Sequence, residues 1–299
     1  MKEQASKTSN TINYRGQKII NTYQREADIW NFIDRLTSFS YVYNLLNERI
    51  KENFFDIDIS KTNKLKKEFM NLNKTEGKND KNLPEIHERL TSNNLVTNAE
   101  EIVLLAKQAI DFFNTSKIVS LITKPILLYN CYARLLKILF LSTFRKSQIS
   151  KGSASGLYME NNTVVCKITG SFARSLDCYF SDPRIYLHEY RFDWTDLFIN
   201  LPISEYDIYF KNDNYFVDIP EQTTRNQYSV HELTREILFI FSLNFFSRYR
   251  LSDWNKIIEG RSSDLIWKIN EYIKSTCNVF PTLILNELHG QRFLFKSGN

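Results

Sequence analysis

The chain has 299 residues, 42% of them hydrophobic and 24% charged, a composition that excludes bulk disorder and suits one large folded domain or two modest ones. Eight glycines and six prolines are well under half the usual shares of roughly 7% and 5%. The chain is therefore poor in turns and rich in long elements, and it has no GxGxxG or Walker-type glycine loop to cradle a phosphate. A net charge of +5 is a mild bias, well short of the basic stripe of a dedicated nucleic-acid binder.

Residues 1–18 read as a flexible tail or small docking arm: polar, with Lys2, Lys7 and Arg15 and no apolar centre, so no secretory leader is expected. Residues 19–96 read as an N-terminal helical region. Ile19, Ile20, Tyr23, Ile29, Trp30, Ile33, Leu36 and Tyr41, continued by Val42, Leu45, Leu46 and Ile50, recur near helical spacing and predict one or two helices. A Lys/Asn-rich loop over 56–82 interrupts this region, readable as a phosphate-contacting basic segment or as a solvated loop. A short helix is expected after Pro84. Thr97-Asn98-Ala99-Glu100 then resembles a capped helix start, with Glu100 and Glu101 at the positive end of the dipole.

The segment from Pro125 to Phe144 is apolar enough to suggest a membrane span. Asn130, Arg134 and Lys137, at i, i+4 and i+7, put three polar groups on one stripe that hydrocarbon would not tolerate. The expectation is the central helix of a soluble bundle, opened by Pro125 in a first turn where a missing N–H costs nothing. Beyond Ser147, Lys151-Gly152-Ser153-Ala154-Ser155-Gly156 is a small-residue connector, and Leu157 to Ile168 predicts a hairpin around Asn161-Asn162. Tyr186 to Trp194 alternates weakly, and Tyr206 to Phe210 with Tyr215 to Ile219 predicts a second hairpin. Residues of about 150–222 thus read as a β-rich insert. A long helix follows from Ser229 to Tyr249, with Leu233, Ile237, Leu238, Phe241, Phe245 and Phe246 inward and Arg235 on the solvent side; Asp264 to Thr276 supplies another, and Pro281 starts a last short one. The fold class expected is α+β, predominantly α-helical, with the β-rich insert between the central and C-terminal helices and a core unit over 97–299.

Several stretches in this order resemble the YaaC-like family of uncharacterised bacterial proteins. They are Lys124-Pro125-Ile126-Leu127-Leu128-Tyr129, Arg134-Leu135-Leu136-Lys137, the connector at Gly152, Gly170-Ser171-Phe172, Asp196-Leu197-Phe198-Ile199-Asn200-Leu201-Pro202, and Ser247-Arg248-Tyr249 followed by Trp254. The resemblance covers roughly residues 97–290. It implies a cytoplasmic bacterial protein without an established activity, in some members from the neighbourhood of phage-defence or mobile-element genes. Members of that family tend to carry His-Gly after the central helix, where this chain has Lys151-Gly152.

His87, His188, His231 and His289 never form HxH, HxxxH or HExxH, and Cys131, Cys166, Cys178 and Cys277 form no CxxC, so neither a metal nor a cofactor is expected. Cys131 and Cys277 read as buried, inert thiols. The best catalytic candidates are Arg225 and His231, whose separation resembles that used by helical ribonucleases of the HEPN class. In that chemistry the His moves the 2′-hydroxyl proton and the Arg stabilises phosphate charge without a metal. The same stretch also reads as a capped helix start. Arg248, Tyr249, Arg250, Lys256 and Arg261 form a basic and aromatic cluster suited to stacking bases and holding phosphates; alternatively the cations complement a helix C-terminus, with Tyr249 and Trp254 packed below. With 22 Phe, 16 Tyr and four Trp the chain can fill a large core and still expose an aromatic surface. The leading expectation is a non-catalytic subunit or adaptor that binds a protein partner, with RNA or DNA as a further ligand and no membrane; the alternative is the ribonuclease. Oligomeric state is not legible in the sequence.

Overall fold

The computed structural model describes residues 11–14, 17–22, 24–51, 83–142, 157–160, 163–167, 189–193, 232–259 and 263–297. Helices dominate. Among the described residues they are α1 (Arg25–Asp34), α2 (Phe39–Lys51), α3 (Leu83–Ile118), α4 (Lys124–Ser142), α5 (Glu232–Tyr249), α6 (Leu251–Ile258) and α7 (Ser263–His289). Two small sheets accompany them, β1 (Thr11–Tyr14), β2 (Gln17–Thr22) and β6 (Arg292–Ser297) in one, β3 (Leu157–Glu160), β4 (Thr163–Lys167) and β5 (Glu189–Asp193) in the other.

The predicted central helix is α4. It packs antiparallel on α3 and receives α5 and α7 on its other sides, and Leu128, Cys131, Tyr132, Leu135, Leu136, Ile138 and Leu139 are all fully buried. Its length and hydropathy would suffice to cross a membrane, but most of it is enclosed by the protein. The polar stripe lies along the α3 seam: Arg134 Nε donates to Gln108 Oε1 at 2.8 Å, Lys137 Nζ pairs with Glu101 Oε1 at 2.8 Å, and Asn130 Nδ2 returns to the carbonyl of Ile126 at 2.8 Å. Aromatic pairs lock the other seams. Tyr132 stacks on Phe280 of α7 at 4.1 Å, Tyr129 meets Phe241 of α5 at 5.7 Å, and Trp30 of α1 stacks on Phe113 of α3 at 3.6 Å.

The helix start expected at Thr97-Asn98-Ala99-Glu100 is absent, because α3 runs unbroken through it. Asn98 is buried, and its Nδ2 donates at 3.4 Å to the carbonyl of Leu141, one of the four that the end of α4 leaves without an intrahelical donor. A side chain within the stretch that read as a capped start serves instead the terminus of the neighbouring helix. Pro281 likewise starts no new helix; it lies inside α7. Proline there lacks the N–H that would bond the carbonyl four residues back, which belongs to Cys277. The indole Nε1 of Trp30 donates to that carbonyl at 3.3 Å, so α1 supplies the hydrogen bond that α7 cannot make for itself.

Ile19 and Ile20 belong to a strand where a helix was expected. β2 pairs antiparallel with β1 (Thr11 opposite Ile20) and in parallel with β6 (Ile20 opposite Phe295), a partner from the far end of the chain that local periodicity cannot reveal. The turn into β6 uses Gly290 at φ 60°, a left-handed position ending α7 that favours glycine. Asn286 Oδ1 accepts from the backbone N–H of Phe293 at 2.7 Å, and Arg49 of α2 donates to the carbonyls of Glu287 and Leu288, closing the end of α7.

The hairpin expected near 157–168 is present as β3 and β4, antiparallel with Leu157 opposite Cys166, and β5 adds to β4. These three short strands do not make up the β-rich insert expected over 150–222. The second hairpin and the 151–156 connector lie outside the described residues, as does the Lys/Asn-rich loop.

Candidate functional site

Leu233 and the run Ile237-Leu238-Phe239-Ile240-Phe241 place apolar side chains all around α5, so this helix has no polar face and is buried on every side. That overturns the expectation for Arg235. It is only 5% exposed, and the adjoining Glu236 is fully buried. Glu236 Oε2 accepts from Thr276 Oγ1 at 2.9 Å, its backbone carbonyl accepts from Tyr272 OH at 3.2 Å, and Oε1 lies 3.9 Å from Arg235 Nε. Tyr132 of α4 extends the cluster, with its hydroxyl beside Thr276 and Cys277.

Burial pushes the Glu236 carboxyl above its ordinary value, against the opposing pull of Arg235 and the Thr276 hydroxyl. Glu232, half-buried in the first turn, is raised for the same reason and opposed by Arg235 and Arg292. Burial also holds Tyr132 and Tyr272 well above the phenol value. The Cys277 thiol is pushed up to about 12 and that of Cys131 well above normal, so both remain protonated and inert, as their apolar helical setting predicts. The cluster can hold a proton and fix α5 against α7, but Glu236, at zero exposure, touches no solvent-borne substrate.

The sequence reading missed Glu236, Tyr272 and Thr276. The signal for Glu236 was available: five successive apolar residues span more than a full turn, and a polar residue preceding them on such a helix has nowhere exposed to go. Nothing local marked Tyr272 or Thr276. Arg225 and His231 lie outside the described residues, His231 immediately before α5. Among the described residues, no three His, Cys, Asp or Glu side chains gather as a metal site.

The basic and aromatic cluster forms a corner where α5 ends and α6 begins. The backbone stays continuous there, with Arg250 N–H donating to the Phe246 carbonyl at 3.1 Å and Trp254 N–H to the Arg250 carbonyl at 2.9 Å. Trp254 packs inside as expected, but Tyr249 does not: it is 64% exposed, and the neighbouring Leu251 is exposed as well. Arg250 grips Asp253 Oδ2 through Nε and Nη2, both at 2.9 Å, while Lys256 Nζ reaches Oδ1 at 3.5 Å. The hydrogen bond from Arg250 holds the Asp253 carboxyl below its usual range, helped by Lys256. Arg248 is exposed, its guanidinium carbon 5.3 Å from the Tyr249 ring centre. The structure thus brings together Arg248, Tyr249, Arg250 and Lys256; Arg261 lies outside the described residues.

No curated protein and no solved structure matches the chain. Residues 166–288 match the model of the family described as YaaC-like protein, a range holding both the α5 cluster and the corner and shorter than the 97–290 span that the motifs suggested. Over that C-terminal stretch, the chain is similar to the YaaC-like family.

Proposed function

We propose that this chain is a non-catalytic subunit, or adaptor, of a bacterial multiprotein system in the cytoplasm, of the anti-phage kind, that binds a protein partner and takes nucleic acid as a second ligand. The observation that carries the reading is the tip of the α3–α4 hairpin, where Ile118 is 86% and Ile122 45% exposed. The tip is well held: Thr123 and Lys124 N–H donate to the Ser120 carbonyl at 3.1 and 3.0 Å, Leu121 packs on the core, and Lys117 pairs with Glu26 at 2.7 Å. A rigid apolar prong on a domain that buries most of its other large apolar side chains fits a partner's groove. The polar stripe of α4, where Arg134 and Lys137 are met from α3, supports a location in water and not in lipid.

Affinity purification of the tagged protein from its native host, with a nuclease-treated arm, mass spectrometry and a native mass, tests the adaptor reading. A stoichiometric partner should survive nuclease and be lost from the Ile118→Glu/Ile122→Glu variant. A chain that emerges alone, or a partner indifferent to both substitutions, refutes it. A metal-independent ribonuclease using Arg225 and His231 is the second reading, favoured by one observation: His231 directly precedes the turn that carries Glu232, Arg235 and Glu236. It requires RNA cleavage in EDTA by the wild type and none by His231→Ala.

A further inference from the structure

We propose that the α5–α6 corner is a single-stranded nucleic-acid site, with a base stacked on Tyr249 and the adjoining phosphate held by Arg248. The inference rests on the nucleic-acid half of the adaptor reading and is independent of the protein partner at the α3–α4 tip. Tyr249 is the last residue of α5, and its ring is steadied from within by Phe245 one turn back, 5.2 Å between ring centres. Solvent reaches 64% of the residue. An aromatic of this size kept in water by a helix that buries nearly everything else is a platform of the kind that takes a base, since every base presents a π-face.

Charge selects the ligand. Three cations, Arg248, Arg250 and Lys256, share the corner with one carboxylate, Asp253, which pairs with Arg250 at 2.9 Å and Lys256 at 3.5 Å and leaves a net positive charge there. The Arg248 guanidinium rests against the tyrosine ring, where it can meet the phosphate next to a stacked base with its planar fork. Bases in a duplex are already stacked on their neighbours and offer no free face. The corner therefore discriminates for single strands.

The test is fluorescence anisotropy of the full chain with a short labelled oligouridylate, against a duplex of the same length and a polyglutamate competitor, over a range of salt. Tyr249→Ala should weaken single-strand binding about five- to a hundredfold, with Tyr249→Phe close to wild type. Arg248→Gln should weaken it and flatten the logarithmic salt dependence by about 0.7, the share of one phosphate on a single strand. Both residues are exposed, and circular dichroism checks that the variants fold. Duplex binding as tight as single-strand binding, displacement by polyglutamate as effective as by unlabelled oligouridylate, or indifference to Tyr249→Ala overturns this proposal and leaves the nucleic-acid reading standing. No binding of either nucleic acid at low salt overturns both.

Discussion

Trp30→Phe should destabilise the protein through a carbonyl that belongs to another helix. Pro281 deprives the Cys277 carbonyl of its helical donor, and Trp30 Nε1 replaces it at 3.3 Å. Phenylalanine keeps an aromatic ring against Phe113 but leaves that part-buried carbonyl without its protein donor, at about 1 kcal/mol, the low end for an unsatisfied acceptor. The smaller ring adds roughly 1 kcal/mol of lost contact. The decisive arm is the same substitution made in Pro281→Ala. Alanine at that position brings an N–H that can bond the Cys277 carbonyl directly, so removing the indole should then cost only the packing share. Urea unfolding followed by far-ultraviolet circular dichroism, with the slope checked for constancy, gives the four stabilities of the cycle. A coupling of about 1 kcal/mol, with Trp30→Phe milder in the alanine background, is expected. Additivity within about 0.5 kcal/mol would show that Trp30 stabilises by packing alone and would refute the argument.

Glu236 gives the stability a pH dependence whose sign is fixed. Its carboxyl in the folded protein lies above the unfolded value of about 4.3, so between those two values the folded state binds more protons, and stability falls as pH rises through the folded value. Glu236→Gln should flatten that fall in urea titrations at stepped pH, and an unchanged slope would remove Glu236 from the account. Arg49→Ala withdraws a charged donor from the carbonyls of Glu287 and Leu288, and should cost about 1.5–3 kcal/mol while speeding amide exchange near the end of α7. Exchange there at the wild-type rate would mean that Arg49 does not hold that terminus. Peptides carrying Cys131 and Cys277 should resist maleimide in the native protein at mildly alkaline pH and label only on unfolding, by mass spectrometry; native labelling would contradict their raised thiols.

Where a side chain's role is decided within its own helix and the one beside it, the sequence was readable. Asn130, Arg134 and Lys137 announced a satisfied stripe on α4, and Pro125 its first turn, because spacing alone determines which face they share. The hairpin at 157–167 was marked by its own alternation. Readability failed where the deciding partner is distant. Ile20 pairs with β6, Asn98 donates to the end of α4, and the carbonyl that Pro281 leaves without a donor is met by Trp30, all partners outside the local segment. At the candidate sites, Arg235 was misplaced because the solvent side was assigned by charge, whereas the apolar run after it leaves α5 no solvent side. For Tyr249 the sequence left two readings, a stacking surface or packing beneath the helix end, and its 64% exposure excludes the second.

The parallel pairing of β2 with β6 also has a meaning in time. On the ribosome, Gln17–Thr22 emerges well before the strand that completes its sheet, Arg292–Ser297, which follows only after the long stretch of chain between them has been made. At about 5–20 residues per second that interval is on the order of half a minute. Throughout it the open edge of β2 presents unpaired backbone N–H and C=O groups, a template that other nascent chains can extend. Closure of this small sheet therefore waits on its C-terminal strand, and a chain terminated before Arg292 keeps that edge open for good.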